Sequence, residues 1–517
     1  MGKIKTKAVF KEYNQQQIQL LPASLEELIG ANDLVRVVNQ VVDSLDLSSL
    51  INQYDGGGTS AYHPRMLTKV ILYGYAMKIY TGRKIAKALR QDIHFIWLAA
   101  FNRPDFRTIN MFRSGILKET IEELFKQLLV FLVDHGHVRV ENYFTDGTFV
   151  SADANKHKVV WRKSAERYKK MAEDKLPELM AQIEELNKEE DRKYGDQDLE
   201  EVGEKPISKE NIAKGIEKLN EVIEKTTTYR ERRKAASLKR KVEQQTQKIE
   251  KYESQLEIAQ QRSGFSKTDT EASVMKMKNE EFLPAYNVLA SSEDQFITAV
   301  TVHQNPNDAI GFKQHVESFT FVPATITADS IFGTEENYQF LESKEVTAYL
   351  KYPLFHKEQS RKFREDPYRK ENFRYHAETD TYECPEKQRL DYTQNRRDVS
   401  KTGFTSDIKI YKASECVSCS KRELCTKSKE GNRTIMINNQ LDIYKQIART
   451  ILESPKGIEL RKRRSVEIES CFGDIKHNMR FRRFHLRGVK KVKTEITIVS
   501  IAHNLRKLQL KQVKLAA

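Results

Sequence analysis

The hydrophobic period of this 517-residue chain changes sharply near Val138, and that change limits the folds open to it. From about Leu25 to Phe131 apolar residues recur at spacings of three and four. LEELIGANDLVRVVNQVVDSL, MLTKVILYGYAMKIY and TIEELFKQLLVFLVDHG all follow this pattern, that of helices with one buried face. VRVENYFTDGTFVSA then alternates and is rich in Val, Tyr, Phe and Thr, as a strand is, with Gly147 expected at a turn or bulge. A hairpin, LPAYNVLAS and QFITAVTVHQ around the turn residues SED, comes only after a long block of Lys, Glu, Gln and Leu. A helical stretch around Ile310 to Phe319 leads to ATITADS, a short β-rich run ending in Asp329. The helix TEENYQFLES and the strand VTAYLKYP follow.

Three strands, a helix, a strand ending in an acid, a helix and a strand is the order of a ribonuclease H-like core. The expected fold is α+β and multidomain, since the chain is too long for one compact core. An N-terminal all-α domain spans 1–135. Within it GRKIAKALRQDIHFIWLAAFNRPDFRTINMFR reads as short helices joined by turns, in the manner of a helix-turn-helix DNA-binding domain. A ribonuclease H-like α/β catalytic domain takes 136–355 and 454–517. It is interrupted by a coiled-coil-like helical hairpin at 158–280, where LPELMAQIEELNKEE and LKRKVEQQTQKIEKYESQLEIAQQ show heptad-like spacing and EKPISKEN forms a loop. A second, polar, turn-rich insertion at 356–453 carries cysteines and has little core of its own.

Lys and Arg number 88 against 73 acidic residues, a formal net charge of +15, so a polyanion is the natural partner. From Ser454 to Ala517 there are 17 basic and five acidic residues, so one end carries +12 of that excess. There RKRR (Arg461 to Arg464) precedes FRRFHLRG (Phe481 to Gly488), mixing Arg with aromatics as nucleic-acid surfaces do. Arg464, Arg480, Arg482, Arg483 and Arg487 are the candidate DNA contacts. No secretory leader and no apolar run near the roughly 18 residues that span a bilayer is present, and no strongly amphipathic face accompanies the charge. An intracellular protein off the membrane is expected.

Cleaving a phosphodiester with divalent ions requires several carboxylates at one point, because Mg²⁺ takes hard oxygen ligands. Asp146 and Asp329 would be neighbours if the first and fourth strands pair. The third acid must come from a helix beside them, and RSVEIESCFGDIKHNMRFRRF supplies it. Ile468, Phe472, Ile475 and Met479 form its apolar stripe, and Glu469, Gly473, Lys476 and Arg480 share an adjacent face. Glu467 points away with Cys471 and Asp474, so Glu469 is the candidate ligand and Lys476 is placed to hold a phosphate. Any one of these acids alone is more often a turn former or a solvated residue; together, in this order, they mark a site.

Of five cysteines, four cluster: Cys384, then Cys416 and Cys419 as a CxxC, then Cys425. Four thiols in a small polar insert suit a structural Zn²⁺, and so few cysteines in so long a chain fit a reducing compartment. Cys471 reads as a small buried residue.

FTDGTFVSADANKHKVVWRKS, ITADSIFGTEENYQFLE and VEIESCFGDIKHNMRFRRFHLRGVKKVKTEITIVSIAHNLRKL resemble the blocks of bacterial insertion-sequence DDE transposases. YHPRMLTKVILYGYA through PDFRTINMFR is similar to their N-terminal domain. The last block is the most specific, with six residues between Glu469 and Lys476. The family's upstream Tyr and Arg would fall at 462 and 465, where this chain has Lys462 and Ser465, so those two roles are not carried over; Arg461 and Arg464 are the basic residues nearby. The resemblance implies cleavage at the ends of a mobile element and attack of the freed 3′ hydroxyl on target DNA. It further implies Mg²⁺ or Mn²⁺ on Asp146, Asp329 and Glu469, terminal inverted repeats and target DNA as partners, a homodimer in the active complex, and a place in the bacterial cytoplasm at the nucleoid. The competing readings are a nuclease of the same fold that only hydrolyses and a DNA-binding protein of transposase ancestry that no longer cuts.

Overall fold

The computed structural model describes residues 24–54, 61–194, 209–225, 228–416, 418–428 and 431–516. The chain forms two compact units, one of residues 1–120 with 505–517 and one of residues 121–504. The last helix is thus divided between them, whereas the sequence reading gave all of 454–517 to the catalytic domain.

Among its described residues the first unit includes the helices α1 (Leu34–Ser44), α2 (Ser48–Ile51), α3 (Pro64–Ala76), α4 (Gly82–Gln91), α5 (Ile93–Leu98) and α6 (Phe106–Met111). Val35, Val38 and Val42 of α1 are buried with Leu67, Ile71 and Tyr75 of α3. The short helices begin at caps written in the sequence: the side chains of Thr81, Asp92 and Asp105 accept from the amides of Lys84, His94 and Thr108. Buried Arg113 donates to Tyr75 Oη at 2.9 Å and to the Tyr80 carbonyl at 2.7 Å.

The second unit follows from α7 (Leu117–Asp134) into an eight-stranded sheet: β1 (Asn142–Ser151), β2 (Val159–Trp161), β3 (Gly264–Ser266), β4 (Ser273–Lys276), β5 (Phe282–Glu293), β6 (Phe296–His303), β7 (Thr325–Ala328) and β8 (Thr347–Leu350). Its centre runs β6-β5-β1-β7-β8. Here β1 is antiparallel to β5 and parallel to β7, and β7 is parallel to β8. The buried Glu293 carboxylate fixes the entry to β1 by accepting the amides of Arg139, Val140, Glu141 and Asn142 at 2.7–2.9 Å. The β5–β6 hairpin turns on Asp294 and Gln295, both with positive φ, the pair of left-handed residues that a type I′ turn demands.

Two parts differ from the sequence reading. Among its described residues the segment expected as a helical hairpin holds four helices, α8 (Arg162–Glu173), α9 (Leu176–Tyr194), α10 (Lys209–Lys225) and α11 (Tyr229–Ala259). Leu176, Ile183, Ile212, Leu219, Leu238 and Val242 form its core. It leaves the sheet between β2 and β3, so residues 159–161, 264–266 and 273–276 of the expected insertion belong to the sheet. Most of the EKPISKEN loop lies outside the described residues. The second insertion has a core of its own. After α12 (Asp308–Glu317), α13 (Glu335–Ser343), α14 (Phe355–Glu358) and α15 (Arg361–Arg364) come β9 (Arg374–His376), β10 (Thr381–Glu383), β11 (Arg389–Val399), β12 (Thr405–Ala413) and β13 (Thr434–Ile437). They form a five-stranded antiparallel sheet over Phe373, Leu390, Tyr411 and Ile435. The chain closes with α16 (Arg422–Cys425), α17 (Asn439–Glu453), α18 (Pro455–Gly473) and α19 (Val489–Ala516); α18 packs on the central sheet, chiefly against β1, β5 and β7.

Candidate functional site

Parallel pairing sets Thr145 of β1 opposite Ala328, the last residue of β7, so Asp146, midway along β1, lies next to Asp329, just past the end of β7. Burial of Ile468, Cys471 and Ile475 holds α18 on the sheet and leaves Glu469 on the open side. One residue joins the three acids. Arg464, a turn and a half before Glu469 on α18, donates to Asp146 Oδ2 and to Glu469 Oε1, each at 3.0 Å, and stands 4.0 Å from Asp329 Oδ2. Lys351 adds a second cation 3.5 Å from Asp329.

The charges of the acids follow from these neighbours. Burial pushes the Asp146 carboxyl up, against the pull of Arg464 and the Gly147 amide, and the charge of Asp329 adds to the rise. For Asp329, burial is outweighed by the Ser330 amide, Arg464 and Lys351, which hold its carboxyl below the usual range. Glu467 was expected to point away from the apolar stripe with Cys471; both are in fact buried, while Phe472 of that stripe is only half-buried. The Glu467 carboxylate accepts from the Gln295 amide at 2.7 Å and from Arg463 at 2.9 Å.

The chain carries a fourth carboxylate that sequence reasoning missed. Asp308, in the first turn of α12, stands against Gly147, where a Cβ would lie 2.4 Å from its Cγ. Burial raises the Asp308 carboxyl, as does the charge of Asp146, and Asn287 Nδ2 holds it at 2.6 Å. Gly147 therefore sits in unbroken strand pairing opposite Leu289, not at a turn or bulge, and its lack of a side chain makes room for Asp308. A glycine directly after Asp146 was the available signal.

Beyond Glu469 the helix that carries it changes pitch. It continues as a π turn over Asp474–Asn478 and ends at Arg480, whose φ is 59°. The wider turn carries Lys476 over β1, where its ammonium donates to Thr148 Oγ1 at 2.5 Å and to the Phe149 carbonyl at 2.7 Å. Burial, and then the charge of Lys278, push Lys476 down to about 8. Arg480 is exposed past the helix end, not on the face of Glu469 as expected. A cleft of about 880 Å³ opens beside these residues, lined by Gly147, Thr148, Lys276, Lys278, Asp308, Lys476, His477 and Arg482. Arg483 and Arg487 are drawn to Asp153 at 2.8 and 2.9 Å and bracket the chain after β1.

The four clustered cysteines, Cys384, Cys416, Cys419 and Cys425, line one small cavity as free thiols. Cys384, Cys416 and Cys425 pack there as apolar residues against the core of the second sheet. Among the described residues no group of three or more His, Cys, Asp or Glu side chains is arranged to hold a metal ion, so the expected structural Zn²⁺ is not supported. Among them, too, no helix is long and apolar enough to cross a membrane.

A mixed α and β chain with acids from two neighbouring strands and a helix gathered beside a basic cleft is in keeping with the two protein families whose models it matches. The family model Transposase DDE domain matches residues 383–509, and the model Transposase domain (DUF772) matches residues 23–115. The matches indicate a transposase, and together they support an insertion-sequence DDE transposase. Arg464, Glu469, Lys476 and the four cysteines fall within the first match, whereas Asp146, Asp308 and Asp329 lie outside both. No curated protein and no solved structure matches the chain.

Proposed function

We propose that this transposase cuts the ends of an insertion sequence and joins them to target DNA by phosphoryl transfer at Asp146, Asp329 and Glu469. The observation that carries the reading is the meeting of these acids, from two strands and a helix far apart in sequence, on the single guanidinium of Arg464. The sheet order β6-β5-β1-β7-β8, with one antiparallel hairpin and two parallel neighbours, supports a ribonuclease H-like catalytic domain.

The donor set suits a hard divalent cation, since it consists of carboxylate oxygens, and the guanidinium among them shows that the arrangement accepts positive charge. Asp146, Asp329 and Glu469 would hold Mg²⁺ or Mn²⁺, which when bound supplies Lewis acidity toward the phosphate oxygens. Lys476 faces the cleft beside Asp146 and would hold the backbone of the transferred end; Arg482 and Lys278 extend that charge. In the joining step the 3′ hydroxyl oxygen forms the new P–O bond as a target P–O bond breaks; the hydroxyl proton passes to solvent, and the departing 3′ oxygen of the target strand takes a proton from solvent. In the N-terminal unit, Arg83, Lys87 and Arg90 of α4 line a cavity beside Phe106, a basic face suited to duplex DNA. Holding two ends together calls for a homodimer.

The test is cleavage and joining of a plasmid carrying the parent element's ends, with Mg²⁺ and with EDTA, beside Asp329→Asn. Metal-dependent end cleavage and joined products that vanish in the variant are expected. Cleavage without joining would establish the hydrolytic reading, and binding without cleavage the DNA-binding one.

A further inference from the structure

We infer that Arg464 is a displaceable counter-cation: its guanidinium neutralises the three acids while no divalent ion is present, and it must leave them for such an ion to bind. The inference rests on the proposed metal-dependent reading of this site. Both hydrogen bonds described for Arg464 go to these acids, and its side chain is only 11% exposed although those of Glu469 and Asp329 are 49% and 43% exposed. The fork therefore lies in the seam between the acids, on the side away from solvent.

Two positive centres cannot use the same lone pairs. Oxygens on Mg²⁺ stand about 2.0–2.1 Å from the ion, whereas they stand 3.0 Å from the nitrogens of Arg464. A planar fork spanning two carboxylates also engages an oxygen of each on its own nitrogens, where an ion would need those oxygens. Lys351, 3.5 Å from Asp329, touches one acid only and can remain.

The experiment is Mn²⁺ binding to the full chain without DNA, followed by the electron paramagnetic resonance of free Mn²⁺, for the wild type, Arg464→Ala and Arg464→Gln. Uptake that persists in Asp146→Asn is subtracted as nonspecific. An opposite charge at this range shifts carboxylate equilibria by about one pKa unit or more, so removing the competitor is expected to tighten Mn²⁺ binding by about tenfold or more. Arg464→Gln keeps the length and polarity of the side chain and serves where Arg464→Ala is poorly folded. A merely structural arginine would leave the affinity unchanged or weaken it, and either result in a folded variant overturns the inference while leaving the metal-dependent reading intact. No specific uptake by any of the three proteins would overturn both.

Discussion

Replacing Gly147 with alanine tests the geometry of the site most directly. The added methyl would meet Asp308 Cγ and Oδ1 at 2.4 Å and Oδ2 at 2.5 Å, distances no relaxed contact reaches. Retreat of the carboxylate is opposed by Asn287, whose amide binds both Asp308 Oδ1 at 2.6 Å and the Asn305 carbonyl at 3.1 Å. Retreat of β1 is opposed by its pairing with β5 on one side and β7 on the other. Overpacking of this kind costs about 1–3 kcal/mol, and loosening the Asn287 bond adds about 1 kcal/mol. Urea unfolding should therefore show Gly147→Ala less stable by about 2–4 kcal/mol. The decisive comparison is the double-mutant cycle with Asp308→Gly, which removes the obstacle: in that background the alanine should cost less than about 1 kcal/mol. An equal penalty in both backgrounds, or none in either, would refute the claim that Asp308 is why residue 147 is glycine.

Glu469→Gln should abolish end cleavage and leave DNA binding intact, whereas Glu467→Gln should retain cleavage but lose about 1–3 kcal/mol of stability, because a buried acceptor of the Gln295 amide and Arg463 is weakened; cleavage gels and urea melts separate the two. Lys476, held at about 8 by burial and Lys278, must take up a proton to bind phosphate above that pH, so DNA affinity should fall between pH 8 and 9.5 in the wild type and more shallowly in Lys476→Gln. For His503, burial lowers the pKa, but the bond to Asp474 at 2.8 Å and the nearby Cys471 outweigh it and raise the ring to about 10. The folded state then keeps a proton that the unfolded chain loses above about 6.5, so this contribution is full below that pH and is lost as pH rises toward 10, by up to about 1.4 kcal/mol per pH unit. His503→Gln should flatten that decline in urea melts taken from pH 6.5 to 10.

What was legible in the sequence was whatever repeats along an element. The strand runs around Asp146 and Asp329 and the hairpin between them are long enough, or β-rich enough, to announce themselves, and their order fixes which strands can neighbour one another. Spacing on α18 drew the stripe Ile468, Phe472, Ile475 and Met479, but the buried side is turned toward Cys471 and takes in Glu467, so the face was only partly legible. Strands β2, β3 and β4 span only three or four residues, too few to establish a period of two. The cysteine-bearing sheet was hidden for a different reason. Its longest strand, Arg389–Val399, buries only Leu390 and so has no apolar alternation to read.

The parts of the site that were missed depend on distance across the fold. Asp308 begins α12 behind the Asn307 cap and looks like any first-turn acid; only the sheet brings it to Gly147. Arg464 stands in a run of four basic residues, which reads as a surface for phosphate, yet α18 turns it inward onto Asp146 while Lys462 remains exposed. The π turn at Asp474–Asn478 changes the angular count after Glu469, so a face drawn with 3.6 residues per turn places Lys476 and Arg480 together, when one reaches Thr148 and the other leaves the helix. The three acids could be named because chemistry demands carboxylates at one point. The cation between them could not, because nothing in a linear run of basic residues distinguishes one that turns inward from one that stays exposed.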